Sequence, residues 1–345
     1  MLHVRRLFTL GLVVLSALLA VTPQQALAGP QNWLYPGGPV AEMQLSLFLL
    51  TTYIMIFVFV VVSGLLLYAI AKFRDKSASG VAVGGAAAET AAGKEEDLPP
   101  QFEGDPRLEI VLTIIPFILL VIMAIPTVNL TFALAAEPEG DPLNVRVIGH
   151  QWWWEFEYTD LGIVTGNELR IPVGRPVVLN IETADVIHKF WVPRLAGKLD
   201  AIPGRVNTKW IQADEPGVYW GQCAEMCGTH HANMRMRVVA LPENEFEQWV
   251  ANYGRGIVAD TPEQLAAAER GRQIFETRAC FACHTIEGTS AVGKVGPNLT
   301  DFGLRYTIGA GMMDNTPENL ARWISDTQGV KPGSQMPTIS LSQSE

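Results

Sequence analysis

The sequence predicts a multidomain membrane protein: a two-helix apolar hairpin, an exported all-β sandwich or barrel, and a small helical domain at the end. Three observations carry this. Leu45 to Ala71 and Ile110 to Leu134 are each long enough to cross a hydrocarbon core, which needs about 20 apolar residues. Between Leu143 and Leu241, short and mostly alternating runs such as "LNVRVIGHQ", "PVVLNIET", "GRVNTKWIQ" and "MRMRVVAL" are separated by Gly and Pro, the pattern of an all-β domain. Beyond them, Thr261, Pro262 and Glu263 read as an N-cap, a first helical residue and an acid in the first turn, so a helical domain starts there. Length and composition agree with this division. A chain of 345 residues exceeds one ordinary domain, and its 17% charged residues fall short of the roughly 25% of soluble domains because apolar runs displace them.

The elements follow in order. Residues 1–28 carry Arg5 and Arg6, then an apolar stretch, then the small-residue pattern Ala26, Leu27, Ala28, which is the form of a secretory signal peptide; the mature chain is expected to start near Gly29. The membrane hairpin then occupies 29–136. Pro116 and Pro126 lie inside its second helix, where kinks are expected because a membrane neighbour can satisfy the freed carbonyls. Lys72, Arg74, Lys76, Lys94 and Arg107 crowd the connection, whereas residues 29 to 44 contain no Lys or Arg, so the connection is cytoplasmic and both mature ends are outside. Its Ala/Gly-rich middle, "SASGVAVGGAAAETAAGKEED", has the composition of a disordered loop. A formal charge of −10 argues against nucleic acid as a partner and suits a basic protein.

The β domain is expected over 137–253, ending in a short helix at "LPENEFEQWVANY", followed by a linker at 254–261. In the helical domain, 262–345, "CFACH" places Cys280, Cys283 and His284 at the spacing where two thiols attach a haem and the next residue becomes its axial ligand. A thioredoxin-like redox pair would sit near a βαβ pattern, and none precedes it. The second axial ligand is expected downstream at Met336 in "GSQMP", after the capped segment "TPENLARWISDT", with Met312 and Met313 as packing residues.

The other two of the four cysteines lie in "CAEMCGTHHANM", residues 223 to 234. A disulfide between Cys223 and Cys227 is the plain alternative in an exported domain, but it would not call for imidazole and thioether at such short range. Soft sulfur donors with imidazole suit copper. Two thiolates, one downstream His, Met234 and a His from elsewhere are too many donors for one four-coordinate ion. If both thiolates bridge, the same donors and one backbone carbonyl complete two four-coordinate coppers.

At this point "GHQWWWEFEY", "DVIHKFWVP", "DAIPGR" and "GQCAEMCGTHHANM" resemble subunit II of the haem-copper cytochrome c oxidases, with its dinuclear CuA centre, over nearly the whole mature chain. The resemblance implies a cupredoxin-like Greek-key β-sandwich. It selects His231 and Met234, at eight and eleven residues after Cys223, leaves His230 as a neighbour, and implies His188 and the carbonyl of Glu225 as the remaining ligands. It also implies that the Glu225 carboxylate reaches a magnesium ion at the subunit I interface, that Trp152 is the aromatic through which electrons arrive, and that Glu109 is the mouth of a proton path. Trp153 departs from the commoner Tyr, and His150 is expected to be a structural hydrogen-bonding residue. Residues 262–345 resemble an all-α class I cytochrome c domain, which makes the chain similar to the caa-type oxidases. Such domains continue past the methionine into a further helix, whereas this chain ends nine residues beyond Met336, so truncation is expected.

The expected function is that of an electron-input subunit carrying electrons from haem c through CuA to the haem of subunit I, coupled there to dioxygen reduction and proton pumping. Subunit I and subunit III, membrane lipid, and cytochrome c or a cytochrome-c-reducing complex are the implied partners, at a bacterial plasma membrane with both redox domains outside. A quinol oxidase subunit shares the helices and β domain but lacks the copper cysteines. A copper-delivery protein would lack the His231 and Met234 spacing and the haem motif, and a plain membrane anchor would leave the ligand cluster without a purpose.

Overall fold

A computed structural model describes residues 29–73, 104–256, 261–339 and 341–342. The signal-peptide reading, the cytoplasmic loop and residues 257–260 of the expected linker lie outside the described residues.

Two long apolar helices are present, α1 (Pro39–Phe73) and α2 (Pro106–Ala135). Each extends several residues beyond the apolar run that announces it, because Pro39 and Pro106 sit at first helical positions where a missing N–H costs nothing. Helix α2 continues through Pro116 and Pro126 without interruption. Both helices are long and apolar enough to cross a membrane, and large side chains such as Phe57, Phe59, Leu67, Phe117 and Phe132 are exposed along them.

The β domain contains ten strands: β1 (Leu143–His150), β2 (Trp153–Tyr158), β3 (Ile163–Gly166), β4 (Glu168–Pro172), β5 (Val177–Thr183), β6 (His188–Trp191), β7 (Leu199–Ala201), β8 (Asn207–Ile211), β9 (Gly217–Cys223) and β10 (Arg235–Leu241). They form two five-stranded sheets, ordered β3-β2-β1-β5-β8 and β4-β10-β9-β6-β7. The connections cross between sheets, and each sheet contains one parallel pair, β1 with β5 and β4 with β10. Alternation in the sequence now has its cause: in β2 and β9 every second residue is buried, and Trp154, Phe156, Tyr158, Leu179, Ile181, Phe190 and Val238 fill the space between the sheets. Helix α3 (Glu243–Asn252) closes one end, its Phe246 and Trp249 packing into this core with the Trp249 ring 5.4 Å from that of Tyr158.

The helical domain comprises α4 (Pro262–Thr277), α5 (Cys280–Cys283), the short pair β11 (Thr307–Ile308) with β12 (Met313–Asp314), α6 (Pro317–Ser325) and α7 (Thr327–Val330). Thr261 caps α4 as its sequence suggests, and Gln264 returns the bond to the Thr261 N–H, a full capping box. Thr316 caps α6 through its side chain, which accepts from the Asn319 N–H, without the reciprocal bond. The β11–β12 pair and an isolated bridge between Thr285 and Val292 depart from an all-helical layout; the pair is set by the glycine-rich turn Gly309–Gly311, whose three residues all adopt positive φ.

Candidate metal centre and haem site

The sandwich brings three strand ends together at one edge. His188 opens β6, Cys223 closes β9, and Met234 precedes β10; the backbone N–H of Cys223 donates to the Met234 carbonyl at 2.9 Å. The loop from 224 to 233 folds over them. The sulfurs of Cys223 and Cys227 are 3.8 Å apart and both residues are free thiols. Cys223 Sγ lies 3.9 Å from His188 Nδ1 and 3.3 Å from the Glu225 carbonyl oxygen. Cys227 Sγ lies 3.6 Å from His231 Nδ1 and 3.8 Å from Met234 Sδ. All six ligands implied by the resemblance thus converge on one pair of sulfurs, and His188 and Met234 are fully buried.

The donor set fits copper. Two sulfurs this close share one proton: the hydrogen bond from Cys227, followed by that of His188, holds Cys223 well below the thiol range, while donating that bond, burial and the Cys223 charge hold Cys227 well above it. Both sulfurs can be thiolates together only beside added positive charge, and soft thiolate, thioether and imidazole donors prefer copper among the common metals. An open cleft of about 700 Å³, lined in part by Pro30, Trp220, Cys223 and His231, reaches the outer side of this cage.

Several supports were not legible in the sequence. Asp185 Oδ1 is 2.8 Å from His188 Nε2, which orients the ring so that Nδ1 faces the sulfurs. Asp185 is itself fixed by accepting from the N–H groups of Gln151 and Val186, and the His188 bond, with these two, outweighs its burial to hold the carboxyl below its ordinary range. The Cys227 carbonyl accepts from both Gln151 Nε2, at 2.7 Å, and Trp152 Nε1, at 3.0 Å, so Trp152 touches the ligand loop directly. The Glu225 carboxylate pairs with Lys189 at 3.0 Å, and the same ammonium pairs with Asp200 at 3.1 Å. His150 corrects the expectation of a hydrogen-bonding role. It stacks on Trp153 with ring centroids 4.2 Å apart, and its buried Nε2 makes no hydrogen bond, the Glu155 carboxylate standing 4.0 Å away, beyond hydrogen-bond reach.

In the helical domain, α5 presents Cys280 and Cys283 half-buried, one turn apart, with His284 following directly. His284 Nδ1 donates to the Pro297 carbonyl at 2.8 Å, which leaves Nε2 as the free lone pair, and burial holds the imidazole toward its neutral form. Gly296 is required beside this ring, since a Cβ there would lie 2.5 Å from His284 Cε1. These features fit an axial haem ligand. So does the distribution of apolar groups: among the described residues of this domain only Ala291, Ile308 and Ala310 are buried hydrophobics, while Leu265, Phe281, Val292, Val295 and Leu304 are exposed, as side chains that cover a large apolar group would be. Met336 is half-buried on the loop after α7, where Gln328 Nε2 donates to its carbonyl at 2.8 Å. Glu109 stands in the first turn of α2, exposed.

The two domains meet. Glu168 Oε1 accepts from the N–H groups of Tyr306 and Thr307 at 2.7 and 3.0 Å, Arg170 Nη2 donates to the Leu304 carbonyl at 2.7 Å, and the Arg235 N–H donates to the Ala310 carbonyl at 3.1 Å. His230, set aside as a neighbour by the family resemblance, is buried and bonds through Nε2 to the Pro332 carbonyl, with Trp152 edge-on at 5.3 Å. Lys331 is buried between the domains, and burial lowers its ammonium to about 8.

A cupredoxin-like sandwich with a sulfur–imidazole cage, joined to a CxxCH domain and preceded by two membrane-length helices, defines the electron-carrying subunit of a membrane redox complex. Comparison with known proteins gives the particular family. Residues 161–241 match the family described as cytochrome C oxidase subunit II, periplasmic domain, and residues 268–345 match cytochrome c. The chain is 39% identical to cytochrome c oxidase subunit 2 of Alkalihalophilus pseudofirmus over 309 residues, covering 88% of this chain and 83% of that one. It is 38% identical to cytochrome c oxidase subunit 2 of Bacillus sp. (strain PS3), covering 88% and 84%. Among solved structures, the periplasmic domain of subunit II of cytochrome oxidase of Bradyrhizobium japonicum is 34% identical, covers 33% of this chain and 94% of that one, and superposes with a TM-score of 0.32. The chain belongs to the cytochrome c oxidase subunit II family, in the caa-type arrangement with a cytochrome c domain on the same polypeptide. It is therefore an oxidoreductase subunit with an electron-input role; its two domains imply copper and haem c, and its family implies association with subunit I.

Proposed function

We propose that this chain passes electrons from haem c, held by Cys280, Cys283, His284 and Met336, to a dinuclear CuA centre held by His188, Cys223, the Glu225 carbonyl, Cys227, His231 and Met234, and on to the haem of subunit I. Dioxygen reduction and proton pumping take place in that partner. The observation that carries the reading is the convergence of three side chains, His188, His231 and Met234, and one carbonyl within 3.9 Å of one or other sulfur of an unbridged cysteine pair. When bound, the copper pair and the haem supply reversible one-electron chemistry. The protein's part is to hold the donors still: Asp185 fixes the His188 ring and the Pro297 carbonyl fixes that of His284.

Trp152, bonded to the Cys227 carbonyl, is placed to couple the cage electronically to what lies outside it. Glu109, at the cytoplasmic start of α2, serves as the mouth of a proton path into subunit I, a use that fits an ionisable group at the membrane boundary. The Glu225 carboxylate faces magnesium at the subunit I interface, with Lys189 as the competing cation. Subunit III, membrane lipid, and cytochrome c or a cytochrome-c-reducing complex complete the partners. A signal peptide places both redox domains on the extracytoplasmic side of a bacterial plasma membrane.

Metal and haem analysis of the purified oxidase, combined with EPR, tests this. Two coppers and one haem c per chain are expected, with one unpaired electron shared by two copper nuclei. Cys223→Ser should abolish the shared signal, and Met234→Leu should keep both coppers but shift their potential. One copper per chain, or an unchanged spectrum in Cys223→Ser, would overturn the assignment.

A further inference from the structure

Lys331 is 4% exposed, yet among the described residues no carboxylate pairs with it. Its ammonium donates instead to three carbonyls on three separate segments: Trp152 at 3.2 Å, Asn233 at 3.1 Å and Gly309 at 3.3 Å. An ammonium has three N–H groups, so all are used. Two of the acceptors belong to the copper domain and one to the cytochrome domain that carries Lys331. A buried lysine without a counter-ion is costly, and an apolar residue would fill the same space at less cost. Lysine offers what an apolar residue lacks: the three acceptors coincide in a single relative pose of the domains. The contacted segments are those nearest the chemistry. Trp152 donates to the Cys227 carbonyl, Asn233 lies between His231 and Met234, and the next residue after Lys331, Pro332, accepts from His230 and precedes Met336 on its loop.

We propose that Lys331 is a positioning residue for electron transfer, pinning the Met336 loop of the cytochrome domain against the Trp152 segment and the copper-ligand loop so that the two redox centres hold one fixed relative pose. This rests on the copper and haem reading above. Glu168 completes the clamp from the other direction. Its buried carboxylate reaches out of the copper domain to the Tyr306 and Thr307 amides, so a cation crosses the interface one way and an anion the other. The tether alone would keep the domains near each other; these two charges select the pose. Transfer from haem to copper then needs no search, and it is a single phase insensitive to solvent viscosity. The Trp152 backbone is covered by the chain's own cytochrome domain, so an external donor delivers its electron to the haem.

The test uses the full oxidase with Lys331→Met, which keeps the apolar stem and removes the three donors. Two readouts are taken: the rate of haem-to-copper transfer after rapid photoreduction of the haem, and hydrogen exchange at the Tyr306 and Thr307 amides, which lie in a different segment from Lys331 and report docking without any cofactor signal. The expected result is transfer slowed at least tenfold and dependent on viscosity, protection of both amides lost, and unchanged haem and copper spectra. Lys331→Arg, which retains charge and donors, should recover part of the rate. Glu168→Ala removes the acceptor of those two amides, so it is read by the transfer rate and its viscosity dependence alone; it should slow transfer from the far end of the interface without touching the Met336 loop, and so serves if Lys331→Met does not assemble. Wild-type rates and protection in Lys331→Met, or a wild-type rate in Glu168→Ala, would overturn the proposal, as would slowing accompanied by altered haem or copper spectra. A wild-type complex lacking the shared copper signal would instead defeat the cofactor reading, while the exchange data would still decide the docking.

Discussion

Replacing Gly149 by alanine should disturb the copper site through a single carbon atom. Gly149 lies on β1, hydrogen-bonded on both sides: opposite Trp154 of β2 and beside Thr183 of β5. Its φ is not positive, so an alanine meets no backbone strain. The added Cβ, however, would sit 2.7 Å from His188 Cδ2 and 3.1 Å from its Cγ, against 3.4 Å or more for ordinary contact. The ring or the strand must therefore give by about 0.7 Å, the shortfall from ordinary packing. The strand is central in its sheet, so the ring takes most of it. That ring is held by Asp185 at 2.8 Å on one nitrogen, faces Cys223 at 3.9 Å with the other, and has Trp154 edge-on at 5.9 Å. Functional geometries tolerate roughly 0.5 Å, so the His188 donor should leave its place, at an overpacking cost of about 1–3 kcal/mol. Copper content, the EPR hyperfine pattern and the centre's potential in the purified oxidase measure this, with the haem c spectrum as an internal control that should not change. A Gly149→Ala protein with native copper spectra and potential would refute the argument that β1 sets the position of His188.

Gly296→Ala should act on the haem side in the same way: the new Cβ would fall 2.5 Å from His284 Cε1, so haem incorporation or the axial-ligand absorption should be lost while copper EPR persists. Lys209 is half-buried with its ammonium donating to the Gly197 carbonyl, and loss of hydration lowers it to about 8. Because the folded value lies below the unfolded one, stability is lost as the pH falls below the unfolded value. Raising the pH from 7 to 9 should therefore stabilise the β domain by about 1 kcal/mol, and thermal unfolding of Lys209→Met should lack that gain. Glu109→Gln should slow oxidase turnover while leaving haem-to-copper transfer intact; equal slowing of both would count against a proton role.

The parts of this fold that repeat a period were legible in the sequence, and the parts that join distant segments were not. Apolar runs gave both long helices, alternation gave the strands, and the 223–234 segment showed a cluster of sulfur and imidazole donors, although the choice of His231 over His230 came from the family resemblance. Asp185 stands three residues before His188, but its bond to the Gln151 amide spans 34 residues, so nothing local marks it as the group that fixes the ring. Glu168 and Arg170 lie in "ELRIP", which is buried throughout and would read as a core strand interrupted by charge; their partners are more than 130 residues away. Lys331 sits in "VKPGS", a surface turn by composition, yet its ammonium reaches Trp152 across 179 residues. His150 shows the opposite error: a histidine beside tryptophans was expected to hydrogen bond, and it stacks instead.

The supports of the cage and of the domain interface form one directional sequence. His188, Cys223 and Met234 stand at the ends of adjacent strands, and Phe190 pairs with Cys223 across the sheet, so the register of β6, β9 and β10 fixes three of the ligands without reference to the cytochrome domain. Cys227 and His231 are on the loop, and that loop is pinned where Gln151 and Trp152 both donate to the Cys227 carbonyl. Lys331 then holds the carbonyl of that same Trp152. The dependence therefore runs from strands to cage, from cage to loop, and from loop to dock. Cutting the dock at Lys331 leaves the strand-held ligands in place, whereas displacing the loop at Cys227 removes an anchor of the Trp152 segment and loosens the dock as well. The loop that carries Cys227 and His231 is thus also part of the surface against which the cytochrome domain is aligned.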